Sequence, residues 1–339
     1  MKLATAMAAS ALALVSACTP ATPPAPETGP GTVFDLQGHR GARALWPENT
    51  LAGFAQALAI GVTTLELDCG VTRDGVVVVS HDRALNPDHT RDDKGQFLAE
   101  PGPLIRELTY AELQQYDVGR LRPGSDYALS FPEQQPVDGE RIPRLADLFE
   151  LVRKSGNREV RFNIETKIDP TQPEATVAPE AFAAALIEVI RAAGMESRTT
   201  IQSFDWRTLV HAKRIAPEIA IVALTDQQPG EDTMEIGKPG ASIWLGGFEV
   251  DDHGGSVPKT VKALGAAVWS PHALDLTPAL VAEAQALGLA VIPWTVNEPA
   301  DMERALALGI DGLITDHPVR LRAVLQAKGI AVPPPTPAQ

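Results

Sequence analysis

Short apolar runs alternate with helical patterns along most of this chain, and this alternation restricts its fold more than any other feature. Between residues 51 and 58, apolar side chains recur at i, i+3, i+4 and i+7, which predicts one buried helix face. Helices that alternate with strands predict a parallel sheet covered by helices. The ten predicted strands are residues 34–38, 64–69, 76–80, 160–166, 199–204, 220–225, 241–246, 266–270, 290–296 and 312–316.

The alternating region, residues 34–325, has the length of a single α/β barrel, a fold that commonly contains ~250 residues. We therefore predict an α/β fold of the (β/α)8 TIM-barrel type, with a doubly wound open sheet as the alternative. Because ten strands exceed eight, segments 76–80 and 241–246 are assigned to additional hairpin or edge structure. Residues 82–143 are polar and rich in Pro, Gly and Asp, which predicts a small insertion after the second strand region.

The N-terminus has the pattern of an export signal. Lys2 precedes an apolar run over residues 3–15 that is too short to span a bilayer. The run ends in Val15-Ser16-Ala17-Cys18, which resembles a bacterial lipobox. We predict a signal peptide over residues 1–17 and a lipid on Cys18; ordinary cleavage at small residues is the alternative.

Both flanks of the barrel region are rich in proline. Residues 18–33 are predicted to be a tether, because extended chain at ~3.1 Å per residue gives the 13 residues 19–31 a reach of about 40 Å. Residues 326–339 are predicted to be a disordered tail. An exported protein in the periplasm or cell envelope, held to a membrane only through Cys18, is the predicted localisation.

Composition excludes several classes of function. The chain has 29 Lys and Arg against 43 Asp and Glu, and its net charge of −14 opposes binding to nucleic acid or to anionic lipid surfaces. Two cysteines exclude a disulfide-stapled scaffold. With Cys18 lipidated, Cys69 has no partner for an internal disulfide.

Three carboxylates are predicted to meet at the barrel mouth, where the carboxyl ends of parallel strands gather. Alternation of faces along a strand directs Glu66, Asp68 and Glu165 toward the barrel axis. Unpaired carboxylates are costly to bury, and a divalent cation removes that cost. All-oxygen ligands favour Ca²⁺ or Mg²⁺ over Zn²⁺. The alternative is that these acids pair with Arg40 and Lys167.

Two histidines follow predicted strands at the same end of the barrel. His39 and His81 are suited to supply a base and an acid near neutral pH. Arg40 and Lys167 are suited to contact an anionic phosphate. A metal, two cations and an acid/base pair together favour phosphoryl transfer or phosphodiester cleavage.

The order of these motifs resembles the glycerophosphodiester phosphodiesterase family over residues 34–325. The motifs are HRG at 39–41, PENT at 47–50, ELD at 66–68, HD at 81–82, NIETK at 163–167, WTVN at 294–297 and DGLITDHP at 311–318. The resemblance implies a (β/α)8 barrel with an insertion at 82–143. It also implies hydrolysis of glycerophosphodiesters to sn-glycerol 3-phosphate and an alcohol.

The resemblance also implies roles for individual residues. It gives His39 and His81 as the acid/base pair, Glu66, Asp68 and Glu165 as metal ligands, and Arg40 and Lys167 as phosphate contacts. We further predict that Glu48 holds Arg40, although it could merely complement a helix dipole. Trp294 is predicted to stack on glycerol, with filling of the mouth as the alternative. Gln202 is predicted to bind phosphate, and the alternative is that it makes hydrogen bonds to backbone groups near the mouth.

Two other functions compete with this hypothesis. A phospholipase C- or D-like barrel would need an exposed apolar rim, which the polar insertion does not favour. A lipid-anchored binding protein without catalysis would need no proton shuttle. The predicted partners are small-molecule glycerophosphodiesters. Among the histidines outside the motifs, His89, His211 and His253 are predicted to lie at the surface, and His272 is predicted to be a loop histidine, with a place in the pocket as the alternative.

Overall fold

The computed structural model describes residues 33–337, which contain nine strands and ten α-helices. The strands are β1 Asp35–Gly38, β2 Thr64–Val71, β3 Val77–Val79, β4 Arg161–Thr166, β5 Thr199–Ser203, β6 Ala220–Thr225, β7 Val268–Pro271, β8 Ala290–Val291 and β9 Gly312–Thr315. The helices are α1 Leu51–Ile60, α2 Tyr110–Leu113, α3 Asp126–Ser130, α4 Leu145–Lys154, α5 Pro179–Ala193, α6 Trp206–Ile215, α7 Val257–Leu264, α8 Pro278–Ala286, α9 Pro299–Ala307 and α10 Pro318–Ala327. In this range, none of the helices has the length and apolar character needed to span a bilayer.

Eight of the strands form a parallel sheet in the order β8-β7-β6-β5-β4-β2-β1-β9. The two ends of this sheet meet through the chain that follows β8. Ile314 N donates to Pro293 O at 3.0 Å, and Val296 N donates to Ile314 O at 3.1 Å. The predicted TIM barrel is therefore confirmed, and the open doubly wound sheet is excluded.

The two additional strands predicted from the sequence have different outcomes. Segment 76–80 does form a hairpin strand, because β3 pairs antiparallel with β2. The strand predicted over 241–246 is wrong. This segment is a turn in which Gly246 has a φ of 60° and Trp206 N donates to Trp244 O at 2.7 Å. Leu245 of this segment is buried in the main apolar core and Trp244 packs against it, whereas Ile243 is exposed.

Side-chain alternation along β2 divides the core from the site. Leu65, Leu67 and Cys69 are fully buried in the main apolar core between sheet and helices. Their neighbours Glu66 and Asp68 therefore face the barrel axis. Deeper in the barrel, a separate apolar cluster fills the interior; its fully buried members are Val222, Val268, Ala290, Ile292 and Ile314.

The insertion at 82–143 follows β3 and packs beside the mouth. It contains the short helices α2 and α3 and has its own small apolar cluster, which includes Val78 of β3. The other buried members of this cluster are Leu85, Ile105, Leu113, Val118 and Ile142. This packing fixes the insertion to the edge of the barrel next to His81.

Both ends of the described chain lie at the bottom of the barrel, opposite the mouth. The disorder predicted over 326–339 is not found as far as Thr336, because α10 continues to Ala327 and Thr336 N donates to Leu58 O at 2.8 Å. Proline carbonyls still accept hydrogen bonds, and Arg322 Nη1 donates to Pro333 O at 2.6 Å. The predicted signal peptide, Cys18 and all but the last residue of the predicted tether lie outside the described residues.

Candidate active site

The three predicted metal ligands meet at the mouth. Asp68 of β2 is in register with Glu165 of β4, and Glu66 lies two residues before Asp68 on the same face. The three side chains each place a carboxylate oxygen within 4.8 Å of the others, and all three are buried. Among the described residues, none donates a hydrogen bond to the buried Asp68 Oδ1. An oxygen-only cluster with one unused buried acceptor fits a hard divalent cation.

The alternative pairing with basic side chains is partly realised. Arg40 Nε lies 3.2 Å from Asp68 Oδ2, and Lys167 Nζ lies 2.7 Å from Glu165 Oε1 and 3.9 Å from Asp68 Oδ1. Arg40 also donates to Glu48 Oε1 at 2.7 Å. Two cations thus serve four carboxylates, counting Glu66, and the site keeps an excess of negative charge.

The carboxylates differ in their affinity for protons. Burial, reinforced by the Asp68 charge and opposed by Lys167, raises the pKa of Glu165 to about 7. Burial and Asp68 also raise the pKa of Glu66 well above its usual range. Burial acts in the same direction on Asp68, but the Arg40 guanidinium outweighs it and holds the pKa of Asp68 below its usual range. The cluster therefore has a high affinity for positive charge, whether protons or a metal ion.

A sharp turn after β1 places Arg40 beside these acids. Arg40 has a φ of 51° and Gly41 a φ of 91°, and the Arg40 backbone N–H donates to Glu66 Oε2 at 2.9 Å. A Cβ at Gly38 would lie 2.1 Å from Gly41 O, so only glycine fits at Gly38. The glycines that flank His39 and Arg40 are thus dictated by a tight turn, and this turn brings the Arg40 backbone close to Glu66.

His39 is fixed by a carboxylate from the other end of the chain. Its Nδ1 lies 2.6 Å from Asp316 Oδ1, just after β9, and its Nε2 lies 3.9 Å from Glu66 Oε2. Arg43 Nε and Asn297 Nδ2 donate to the same Asp316 carboxylate at 2.6 and 2.7 Å. Burial and the Arg43 charge lower the pKa of His39 to about 4, so the ring is neutral at pH 7.

His81 follows β3 and faces the insertion. Its Nδ1 lies 3.0 Å from Asp82 Oδ1, and its side chain is 29% exposed. Burial and the Arg40 charge lower the pKa of His81 to about 4. In both histidines a carboxylate occupies Nδ1, which leaves Nε2 for proton transfer.

Comparison with known proteins places this chain in a family. Residues 39–320, which include every predicted site residue except Cys18, match the glycerophosphoryl diester phosphodiesterase family. The chain belongs to this family. The resemblance drawn from the motifs is therefore confirmed.

Named relatives and solved structures agree with this membership. A glycerophosphodiester phosphodiesterase from Caldanaerobacter subterraneus is 29% identical over 86% of this chain and 97% of its own length. A human lysophospholipase D is 28% identical over 85% of this chain and 84% of its own length. A Silicibacter pomeroyi structure that carries the family name is 38% identical, with a TM-score of 0.79, covering 90% of this chain and 97% of that one.

A more distant structure shares the fold. An Oleispira antarctica phosphodiesterase in complex with the product sn-glycerol-3-phosphate has a TM-score of 0.64 and 23% identity. The alignment covers 87% of this chain and 97% of that chain.

Around the carboxylates of this family member lies a shell of polar side chains. Glu48 accepts from Arg40, as predicted from the sequence, and also accepts a hydrogen bond from the Tyr127 hydroxyl. Burial would raise the pKa of Glu48, but Arg40 lowers it to about 2. Asn49, with a φ of 54°, donates to Asp68 Oδ2 at 2.9 Å. This shell fixes the rotamers of the charged groups beneath it.

Gln202 lies in register with Glu165 and contacts the carboxylate cluster directly. Its side chain is buried, its Nε2 donates to Glu66 Oε1 at 2.6 Å, and its Oε1 accepts from Asn163 at 2.8 Å. Both ends of the amide therefore have a partner in the polar network around Glu66. Gln202 orients Glu66, and its contact with phosphate stays a prediction.

The sequence prediction also missed site residues. The sequence predicts His89 at the surface, but its side chain is only 15% exposed and its Nε2 lies 3.2 Å from Asp82 Oδ2. Asn49 and Asp316 lie within the PENT and DGLITDHP motifs, so the sequence marks both residues, but it does not show their roles. Arg43 and Tyr127 carried no such signal, because their partners are distant in the sequence.

An aromatic row borders the mouth beyond Lys167. The Lys167 ammonium lies 5.9 Å from the Phe204 ring centre, and Trp294 contacts Phe204 edge to face at 5.3 Å. Trp294 is half-buried and its Nε1 donates to Ser270 O at 3.0 Å. His272 packs on the far side of Trp294 at 5.1 Å. The three rings therefore follow β5, β7 and β8 at the carboxyl ends of these strands, the same end of the barrel as the carboxylates.

A second group with metal-ligand character lies past this row. It consists of Asp226, His272 and Asp275, whose ligand atoms are within 4.8 Å of one another. Gln227 N donates to Asp275 at 2.9 Å, and Gln228 N donates to Asp226 at 2.7 Å. These hydrogen bonds account for the arrangement of the two carboxylates.

Proposed function

We propose that this protein hydrolyses glycerophosphodiesters to sn-glycerol 3-phosphate and an alcohol with the help of a divalent cation. The observation that carries the proposal is the meeting of Glu66, Asp68 and Glu165 within 4.8 Å in a buried cluster at the mouth. His39 approaches this cluster to 3.9 Å, and His81 follows the adjacent hairpin strand. Family membership over residues 39–320 supports the same reaction.

Glu66, Asp68 and Glu165 would hold the cation. Their donors are all oxygens, and the excess of carboxylates over cations in the site favours Ca²⁺ or Mg²⁺ over softer metals. When bound, such an ion neutralises charge on the phosphate and makes the phosphorus easier to attack. Asp68 Oδ1, which lacks a hydrogen bond from the described residues, supports this assignment.

His39 and His81 form the proton-transfer pair. One Nε2 removes the proton from the attacking hydroxyl, which belongs to water or to the glycerol of the substrate, and the other donates a proton to the departing alcohol. Both rings are neutral at pH 7 in the free protein. An anionic diester between them raises the proton affinity of the ring that acts as the acid.

Arg40 and Lys167 position the phosphate. Arg40 is held from the opposite side by Glu48, and Lys167 lies between Glu165 and the Phe204 ring. A diester that binds to both cations places its glycerol or its alcohol group along the aromatic row. Trp294 supplies the apolar surface for that group.

A lysophospholipid is the second candidate substrate, because one of the human relatives is a lysophospholipase D. The insertion beside the mouth does offer an exposed apolar residue, Leu129, which is 69% exposed. Most of its neighbours are polar, which favours water-soluble diesters. The third possibility, binding without hydrolysis, leaves the two histidines without a purpose.

The cellular setting is also part of the proposal. We infer export, with lipid attached at Cys18 and residues 18–33 as the tether between membrane and barrel. Replacing Cys18 with Ser should move the protein from the membrane fraction to the soluble fraction. Unchanged membrane association of C18S would contradict the anchor.

The decisive experiment is a metal-dependent product assay. The purified protein is stripped with a chelator, and glycerol 3-phosphate and the released alcohol, choline or ethanolamine, are both measured after addition of Ca²⁺ or Mg²⁺. The substrates are glycerophosphocholine, glycerophosphoethanolamine and lysophosphatidylcholine. We expect product from the first two only with added metal. Turnover of lysophosphatidylcholine alone would favour the second candidate, and binding without any product would favour the third.

A further inference from the structure

His89 belongs to the insertion but reaches back to the active site. Its backbone N–H donates to Asn86 O at 3.3 Å, and Arg122 Nε donates to Pro87 O at 3.0 Å, so the turn at 86–89 is fixed from both sides. The His89 side chain is 15% exposed. It lines the same small cavity as His81 and Glu48.

A single carboxylate joins the two histidines. Asp82 Oδ1 lies 3.0 Å from His81 Nδ1, and Asp82 Oδ2 lies 3.2 Å from His89 Nε2. Asn86 Nδ2 also donates to Asp82 Oδ2 at 2.8 Å. Because Asp82 follows His81 directly in the chain, its carboxylate needs contacts from elsewhere to hold one orientation. His89 and Asn86 supply them.

We propose that His89 is a positioning residue for the hydrolysis, which acts through Asp82 to hold His81 with its proton on Nδ1 and its Nε2 available for proton transfer. This inference rests on the proposed role of His81. The proposal gives the insertion a part in catalysis. Among the described residues, the groups that contact Asp82 Oδ2 both belong to segment 82–143.

The packing around His89 keeps this arrangement in place. The Tyr127 ring lies 6.1 Å from the His89 ring and is itself packed edge to face against Phe131 at 5.2 Å. The Tyr127 hydroxyl donates to Glu48, which holds Arg40. The insertion therefore supports Arg40 through the Tyr127 contact with Glu48, and it supports His81 through the His89 contact with Asp82.

The charge of His89 adds a second effect. Burial would lower its pKa, but the hydrogen bond to Asp82 and the Glu48 charge raise it above the ordinary value. A protonated His89 offsets part of the Asp82 charge, so Asp82 stabilises a protonated His81 less. The titratable and charged groups that face the two rings are Arg40, Glu48, Asp68, Asp82, Tyr127 and Lys167.

The first test compares His89→Ala, His89→Gln and the surface control His211→Gln. In His89→Ala we expect kcat to fall about tenfold while KM stays within about twofold, since Arg40 and Lys167 are unchanged. Gln can still donate to Asp82, so His89→Gln should regain most of kcat. Because Gln is uncharged, the limb of the pH–rate profile that His81 controls should move upward by about half a unit in both variants.

The second test does not depend on turnover. In ¹⁵N-labelled protein, the imidazole shifts report which nitrogen of His81 carries the proton. We expect the Nδ1–H form in the wild type and in His89→Gln, and a mixture of tautomers in His89→Ala. A wild-type protein without hydrolytic activity but with this tautomer pattern would contradict the proposed function and support the positioning role.

Wild-type kinetics, pH profile and tautomer in His89→Ala would overturn the positioning role. If His89→Ala fails to fold, His89→Gln decides alone. A wild-type pH profile in the Gln variant would then overturn the proposal, whereas an upward shift with kcat retained would support it. His211→Gln should match the wild type in every measurement, because His211 lies on α6 beside Arg214.

Discussion

At the mouth, the half formed by β9, β1, β2 and β4 carries the proposed reacting groups, whereas the half formed by β5 to β8 carries the aromatic rings and the separate group of Asp226, His272 and Asp275. On the charged side each carboxylate has at least one hydrogen bond or ion pair with a named partner, such as Asp316 with His39. On the aromatic side, Phe204, Trp294 and His272 meet mainly through ring edges. The difference suggests that one half performs the reaction and the other selects the substrate.

The largest effect is expected when a predicted metal ligand of the charged half is replaced. Glu165→Gln keeps the size of the side chain but removes a negative oxygen, so kcat should fall about a thousandfold through lost charge stabilisation. Calorimetric titration with Ca²⁺ or Mg²⁺ should show weakened binding at the same time. Glu188→Gln on the exposed face of α5 is the control. Full activity in Glu165→Gln would remove this residue from the metal site.

The next effect concerns the proton carriers. His39→Ala and His81→Ala should each lower kcat by about 100- to 10,000-fold, because general acid and base catalysis contribute in this range. Circular dichroism and Tm show whether each variant is folded. Near wild-type kcat in either folded variant would mean that the ring is not a proton carrier.

Metal affinity should depend on pH. The pKa of Glu165 is raised to about 7, and a ligand carboxyl must lose its proton before it binds a metal. Affinity should therefore weaken as the pH falls through 7, by at least about tenfold per pH unit, since Glu165 must release one proton and Glu66, whose pKa is also raised, can hold another. Calorimetry from pH 5 to 8 in two buffers measures both the affinity and the released proton. A constant Kd across this range would contradict the raised pKa.

On the aromatic half, Trp294→Leu should raise KM about tenfold, because a large ring surface against the substrate contributes roughly 1–2 kcal/mol. We expect kcat to change less than about threefold, since the side chain touches no proposed proton carrier. Steady-state kinetics with two head groups tests this split. A drop in kcat at constant KM would mean that Trp294 supports the reaction step and not substrate binding.

The smallest effect is expected at the junction of insertion and barrel. Tyr127→Phe loses the hydrogen bond to buried Glu48, which should lower the free energy of unfolding by about 1.5–3 kcal/mol. Activity should fall only a few-fold, as Arg40 keeps its contact with Glu48. Chemical denaturation checks the stability, with Tyr116→Phe in the same insertion as the control. Equal stability of the two variants would mean that the hydrogen bond from Tyr127 to Glu48 does not stabilise the fold.

The sequence sufficed for the parts of this molecule that follow from periodicity. Alternation of strands and helices predicted the barrel. Alternation of side chains along β2 and β4 predicted the common face of Glu66, Asp68 and Glu165, because strand geometry alone decides which face a residue occupies. It did not predict what each side chain contacts on that face. Gln202 lies beside Glu165 in the register, yet its amide binds Glu66 below the mouth.

Other failures have the same origin. The pairing of His39 with Asp316 joins residues 277 apart, and that of Asp82 with His89 depends on a turn inside the insertion. Segment 241–246 is apolar enough for a strand, but it ends in the left-handed Gly246, which Gly247 follows in the same conformation, and the sheet offers no free edge there. Long-range partners and available edges are properties of the folded chain and leave no local pattern.

The position of the two described ends has a practical consequence. Val33 and Thr336 border the same cavity of about 1070 Å³ at the bottom of the barrel, a full strand length away from His39. An attachment made directly at Val33 or Thr336 would therefore lie on the side remote from the catalytic opening. Diffusible molecules keep free access in that orientation, while a molecule embedded in the supporting surface would face the wrong end of the enzyme.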